Sequence, residues 1–143
     1  MNPHDRYPDT LIRRILRETK TIAMVGASAN ESRPSYFALK YLIARGYRMF
    51  PINPGLAGQE LLGVRVYASL REIGEPIDMV DVFRAADALP SVVEEVLALS
   101  PLPKVIWGQL SVRHDGAAAA AEAAGVKVVM DRCPAIEYPR LVA

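Results

Sequence analysis

The stretch Thr21-Ile22-Ala23-Met24-Val25-Gly26-Ala27-Ser28, continuing to Arg33-Pro34-Ser35-Tyr36, constrains the fold of this chain more than any other. Its first five residues form an apolar run of β-forming character, Gly26 can take backbone conformations closed to other residues, and Pro34 suits the first turn of a helix. The pattern predicts a strand, a tight turn and a helix start. Such a turn presents free amides and the positive end of a helix dipole, which together suit a phosphate. The chain therefore reads as a nucleotide-binding α/β domain.

At 143 residues the chain has the length of one domain, 1–143, and can bury a core without disulfide staples. Lys and Arg number 17 against 16 Asp and Glu, so the net charge of +1 offers no general field for nucleic acid or an anionic membrane. Any anion has to be met by local charges. The single cysteine, Cys133, leaves no internal disulfide framework and fits a reducing cytoplasm, while His4 and His114 stand apart without metal-ligand spacing. His4, Asp5, Arg6 and Asp9 occupy the place of a signal peptide's apolar run, and no apolar stretch approaches the roughly eighteen residues of a membrane span. The expectation is a soluble, unanchored protein.

Residues 1–8 read as a loose leader, after which Asp9 or Thr10 caps a helix with Leu11, Ile12, Ile15 and Leu16 on one face. Strands are predicted at residues 21–25, 47–53, 77–83, 104–107 and 126–130, and helices at 35–45, 89–99 and from Asp115 or Gly116 to Gly125. Between 58 and 70 the pattern weakens to a short edge strand within 60–67, followed by one helical turn over 69–73. The tail from 131 to 143, interrupted by Pro134 and Pro139, is expected to drape over the sheet. Five strands alternating with helices predict a Rossmann-like three-layer sandwich, a mainly parallel sheet with helices on both faces and the first strand central.

In such a sheet a ligand lies beyond the carboxyl ends of the strands. That edge comprises Gly26-Ala27-Ser28, Asn53-Pro54, Phe83-Arg84, Gly108-Gln109 and Asp131-Arg132-Cys133. An NAD site wants G-x-G-x-x-G in the first turn and an acidic residue ending the second strand; the turn has one glycine and the strand ends in Asn53 and Pro54. No G-x-x-x-x-G-K-[ST] loop is present either, which excludes an ATP-hydrolysing P-loop. A neutral second-strand end, with Ser28 as an extra donor and Arg33 at the helix start, suits a phosphorylated ribose better than a free diol. Coenzyme A and NADP both fit.

Five separated motifs then resemble the small stand-alone CoA-binding proteins: Val25-Gly26-Ala27-Ser28, Arg33-Pro34-Ser35-Tyr36, Ile52-Asn53-Pro54, Trp107-Gly108-Gln109 and Val129-Met130-Asp131-Arg132-Cys133-Pro134. The match runs from about Leu11 to Tyr138. That family is similar in turn to the CoA-binding domain of the succinyl-CoA synthetase α-subunit and of NDP-forming acyl-CoA synthetases. In those enzymes the chemistry depends on a phosphorylated histidine in a following domain, and this chain is expected to end before one. The resemblance implies coenzyme A as ligand without ligase activity, held by Gly26, Ala27, Ser28, Arg33, Ser35, Tyr36, Asn53, Pro54, Phe83, Arg84, Trp107 and Gln109. Gly108 departs from it, standing where the family's Trp-x-Gln pattern leads one to expect a bulkier residue.

Each of these residues has a plainer reading. Gly26 serves any tight turn, Arg33 any solvated helix start, and Trp107 is a residue type that fills cores more often than it lines pockets. Phe83 and Arg84 read equally well as a core residue and a surface charge, or as a stacking face and cation for adenine. Cys133 beside Arg132 invites a nucleophile reading, but no base accompanies it, and the plainer reading is a small buried apolar residue; proximity to the pantetheine arm would permit a mixed disulfide with the CoA thiol as a side reaction. No paired carboxylates suggest acid-base catalysis. A non-catalytic module that binds coenzyme A or an acyl-CoA is the reading adopted. Its rivals are an NADP-linked reductase on the same fold and a CoA-presenting subunit of a larger enzyme. Replacing Gly26 by Val is expected to abolish binding while sparing the fold.

Overall fold

Strands that are apolar on both sides need a helix layer against each face, and these helices supply both. The structure, a computed structural model, describes residues 2–142. In chain order the elements are α1 (Asp9–Glu18), β1 (Thr21–Val25), α2 (Pro34–Ala44), β2 (Arg48–Ile52), the short β3 (Glu60–Leu61) and β4 (Val64–Arg65), β5 (Met79–Val82), α3 (Leu89–Leu97), β6 (Val105–Gly108), α4 (Asp115–Ala123), β7 (Lys127–Val129) and α5 (Pro134–Leu141). Every neighbouring pair in the main sheet is parallel, in the order β2-β1-β5-β6-β7. The three-layer Rossmann-like class is thus as expected.

Successive strand residues face opposite helix layers. Ala23, Val25, Val80, Val82 and Ile106 pack on α3 and α4, through Leu89, Val92, Val93, Val96, Ala117, Ala118 and Ala121. Ile22, Met24, Met79, Val105 and Trp107 pack on α1, α2 and α5, through Ile12, Leu16, Leu39, Leu42, Ala135 and Leu141. No helix among the described residues is long and apolar enough to cross a membrane.

Three details depart from expectation. The central strand of the five is β5, with β1 second from one edge. Beyond β2, Tyr67 makes a single parallel bridge to Ile52: its N–H donates to the Pro51 carbonyl at 2.9 Å, and its own carbonyl accepts from Asn53 at 2.9 Å. Pro51 therefore turns its missing donor to this sparsely paired edge, where a strand proline is tolerated. The bridge stands where a sixth strand would, and counting it makes β1 one of the two middle strands. The segment has too little extended chain for more, because the antiparallel β3–β4 hairpin and the 3-10 turn at Leu70–Glu72 flank it.

The tail does not drape; it forms α5. Pro134 occupies the first turn, where a helix needs no N–H, and buried Pro134, Ala135, Glu137 and Leu141 secure the helix despite Pro139 inside it. Nor is the leader loose over residues 2–8; Met1 lies outside the described residues. Asn2 and Asp5 form a reciprocal cap on the turn Pro3–Asp5, Asp5 pairs with Arg113 at 2.8 Å, and Asn2 donates to Asp115 at 2.9 Å. Tyr7 Oη accepts from the Met130 N–H at 2.9 Å and lies 2.7 Å from His4 Nδ1. The other ring nitrogen of His4, Nε2, lies 2.7 Å from Glu122.

Candidate functional site

At the carboxyl end of β1 the chain must leave the sheet beside β5, and Gly26 makes this possible. Its φ is +90°, and a Cβ placed there would lie 2.9 Å from the Phe83 carbonyl carbon. Only glycine meets both demands. The Gly26 and Ala27 amides both donate to the Ile52 carbonyl at 3.2 Å, so neither is free for a ligand. Asn53 then clips β2 to the same turn: its Nδ2 donates to the Ala27 carbonyl at 2.8 Å, and its Oδ1 accepts from Gly55 at 2.8 Å.

The amide donors expected on Gly26-Ala27-Ser28 therefore lie further along. Ser28 Oγ accepts from Asn30, and the Asn30 side chain accepts from Ser32. The N–H groups of Ser28, Ala29 and Ser35 have no partner among the described residues, and Ser35 opens α2 directly after Pro34. Free amides at a helix N-terminus form an anion-binding arrangement.

Two cavities flank this turn and share Gly26 and Arg84. The first, about 470 Å³, lies between the ends of β1, β2 and β5 and is walled by Ala27, Asn53, Pro54, Ser69 and Glu95, among others. The second, about 510 Å³, extends over the start of α2, with Ser28, Arg33, Ser35, Phe83 and Gln109 around it and Leu110 and Val112 closing it. These sizes are typical of small-molecule sites. Arg33 and Arg84 are exposed and make no salt bridge among the described residues, so both guanidinium groups are available to an anion.

The loop after β6 folds back across that strand. A Cβ on Gly108 would lie 2.5 Å from the Val112 carbonyl oxygen, so a bulkier residue there would push Leu110 and Val112 from the cavity wall. Asp131 pins the same loop by accepting from the Ser111 N–H at 2.8 Å.

Two polar side chains, Asp81 and Gln109, are buried at or behind the wall of the second cavity. Asp81 on β5 is fully buried between Met24 and Trp107, and neither carboxyl oxygen has a partner among the described residues. Desolvation alone pushes its pKa well above the ordinary carboxylate value, which favours the neutral form. Gln109 is also buried, with Oε1 unpartnered. Burial likewise pushes the Cys133 thiol up, opposed by a hydrogen bond from Gln109. Arg132 does not activate that thiol; it lies over the Tyr7 ring at 5.4 Å and 3.6 Å from Glu137.

The CoA binding domain family profile matches residues 20–139. This chain belongs to that family. The uncharacterized protein YneT of Bacillus subtilis is 38% identical over 122 residues, covering 85% of this chain and 87% of that one. A Thermus thermophilus protein of solved structure is 42% identical, with a TM-score of 0.88 over 94% of this chain and 99% of that one. A hypothetical protein from Pyrococcus horikoshii is 34% identical, with a TM-score of 0.90 over 100% of this chain and 98% of that one. The α-subunit of ADP-forming acetate–CoA ligase I from Pyrococcus furiosus is 35% identical over 80 residues, 53% of this chain and 17% of that subunit. This CoA-binding domain is thus homologous to part of a larger enzyme.

Of the residues expected to form its site, the fold gathers Gly26, Ala27, Ser28, Arg33, Ser35, Asn53, Pro54, Phe83, Arg84 and Gln109 around the two cavities. Two do not join them. Trp107 is sealed in the core at 0% exposure, with Nε1 donating to the Arg132 carbonyl at 2.8 Å. Tyr36 is half-buried against the cluster containing α2 and α5. Sequence reasoning missed Ser69, Glu95 and the loop residues Leu110 and Val112. Glu95 arrives from the middle of α3, far along the chain and outside the strand-end rule; the loop residues follow Gln109 directly and extend its motif.

Proposed function

We propose that this CoA-binding domain holds coenzyme A or an acyl-CoA across the two cavities, as a binding module rather than a catalyst. The adenosine occupies the first cavity, between the ends of β2 and β5. The diphosphate lies over the turn Gly26-Ala27-Ser28, and the pantetheine arm runs through the second cavity toward Gln109. The observation that carries this reading is the wall of the second cavity, where Arg33 and Arg84, both without an acidic partner among the described residues, accompany Ser28 and Ser35, whose N–H groups have no partner among the described residues, and where Arg84 also borders the first cavity. Family membership supplies the ligand class. The buried, high-pKa Cys133 thiol supports binding over catalysis, since a nucleophile requires the thiolate.

Calorimetric titration with CoA, dephospho-CoA, NADP and NAD tests the assignment. CoA should bind most tightly, with part of its affinity lost in dephospho-CoA. A dissociation constant for NADP or NAD at or below that of CoA would move the protein to the dinucleotide-binding class. A charge-assisted hydrogen bond to phosphate is worth roughly 1.5–3 kcal/mol, so Arg33→Ala and Arg84→Ala should each weaken CoA about tenfold or more. The loss should shrink at high salt, because both arginines are exposed.

A further inference from the structure

The buried polar groups of Asp81 and Gln109 have no role in holding the fold together that their contacts explain. Asp81 Oδ1, Asp81 Oδ2 and Gln109 Oε1 are buried side-chain atoms without hydrogen bonds among the described residues. Orphaned polar groups of this kind are costly and call for a partner. The register places them together: Asp81 pairs with Trp107, Gln109 lies two residues further along on the same face, and its N–H donates to the Val82 carbonyl at 3.2 Å. Both also lie within interaction range of the same Cys133 thiol. A neutral carboxyl has one O–H to give, and a primary amide oxygen is able to receive it.

We propose that Asp81 donates to Gln109 Oε1, directly or through one bridging water, and thereby holds the Gln109 amide so that its NH2 faces the second cavity and selects ligands whose arm carries a carbonyl oxygen. Asp81 is a positioning residue and Gln109 the contacting one. The cavity wall around Gln109 is otherwise largely apolar near Phe83, Leu110 and Val112, so one oriented donor there discriminates more than it would in water. An amide carbonyl of the arm and the thioester carbonyl of an acyl-CoA share this acceptor chemistry. This inference rests on the proposed binding of CoA across the cleft.

The test is titration of acetyl-CoA, CoA and arm-less ADP against wild type, Gln109→Leu, Asp81→Leu and Asp81→Asn. Binding of none of the three to wild type would overturn the proposed function itself. Given wild-type binding, Gln109→Leu should weaken acetyl-CoA about three- to tenfold and leave ADP unchanged. An equal loss for CoA identifies the amide carbonyl, and a loss confined to acetyl-CoA identifies the thioester. Asp81→Leu should reproduce the pattern, and Asp81→Asn, which keeps a donor, should restore it. Equal losses for all three ligands, or none, in Gln109→Leu would overturn the inference. Infrared spectra provide an independent reading that a failure of Asp81→Leu to fold does not affect. A protonated-carboxyl band present at neutral pH in wild type and missing in Asp81→Asn supports the donor role, and its absence from wild type refutes it.

Discussion

At Gly26 a φ of +90° and a Phe83 carbonyl carbon 2.9 Å from any added Cβ leave room for hydrogen alone. Gly26→Val therefore should not spare the fold, contrary to the expectation from sequence, because the side chain meets backbone rather than empty cleft. Strain of this kind costs about 1–3 kcal/mol before any ligand is present, and denaturant unfolding without ligand measures it. Asp81 leads to a prediction of opposite sign. Its folded pKa is raised by burial, so the folded state retains a proton that the unfolded chain releases above about pH 4. The stability Asp81 contributes is therefore complete below that pH and declines as pH rises toward the folded pKa. Asp81→Asn removes the titration while keeping the shape. Its melting temperature should exceed that of wild type at pH 7 to 8, and the difference should close toward pH 4. A gap that stays constant or widens on acidification would mean that Asp81 is ionised in the folded protein.

Elements whose side chains repeat with one period were legible in the sequence. The five main strands were found within about two residues of their ends, and the helices likewise, because burial on two faces and on one face leaves different spacings. Segments whose structure depends on distant partners were not. Pro134 and Pro139 looked like breakers in isolation, yet burial of α5 outweighs the lost hydrogen bond. The leader looked polar and free because its partners, Arg113, Asp115, Glu122 and Met130, lie more than a hundred residues away. At the cavities, the strand-end rule named the turn, Asn53 and Arg84, which line them, but had no means of naming Glu95 on α3. It also could not reveal that the Ile52 carbonyl already occupies the Gly26 and Ala27 amides. The leader offers a direct check. Tyr7→Phe removes the acceptor of the Met130 N–H in a residue that is 0% exposed, and an orphaned buried donor costs about 1–3 kcal/mol. Chemical denaturation should show that loss; an unchanged midpoint would mean that the N-terminal segment is dispensable to the fold.

For the molecule as a whole, the cleft lies where the chain leaves β1 for one helix layer and β5 for the other, and its walls come from five regions of the sequence: the β1 turn with the start of α2, the Asn53 turn, Ser69, the β5 end with α3, and the loop after β6. A ligand spanning both cavities links segments that unfolding would separate, so binding should stabilise the entire domain. For a ligand that binds only the folded state, stabilisation is RT ln(1 + [L]/Kd), about 2.7 kcal/mol at one hundred times Kd. CoA should accordingly raise the melting temperature in a concentration-dependent way, and in proportion to its calorimetric affinity. The Arg33→Ala protein should need about ten times more CoA for the same shift, while its melting temperature without ligand stays near wild type, because Arg33 is exposed and makes no salt bridge among the described residues. Raising the ionic strength should bring the two titration curves together by screening the exposed charge. If CoA leaves the transition unmoved at millimolar concentration while NAD raises it, the charged junction at Arg33 and Arg84 serves a different nucleotide, and the assignment to coenzyme A fails.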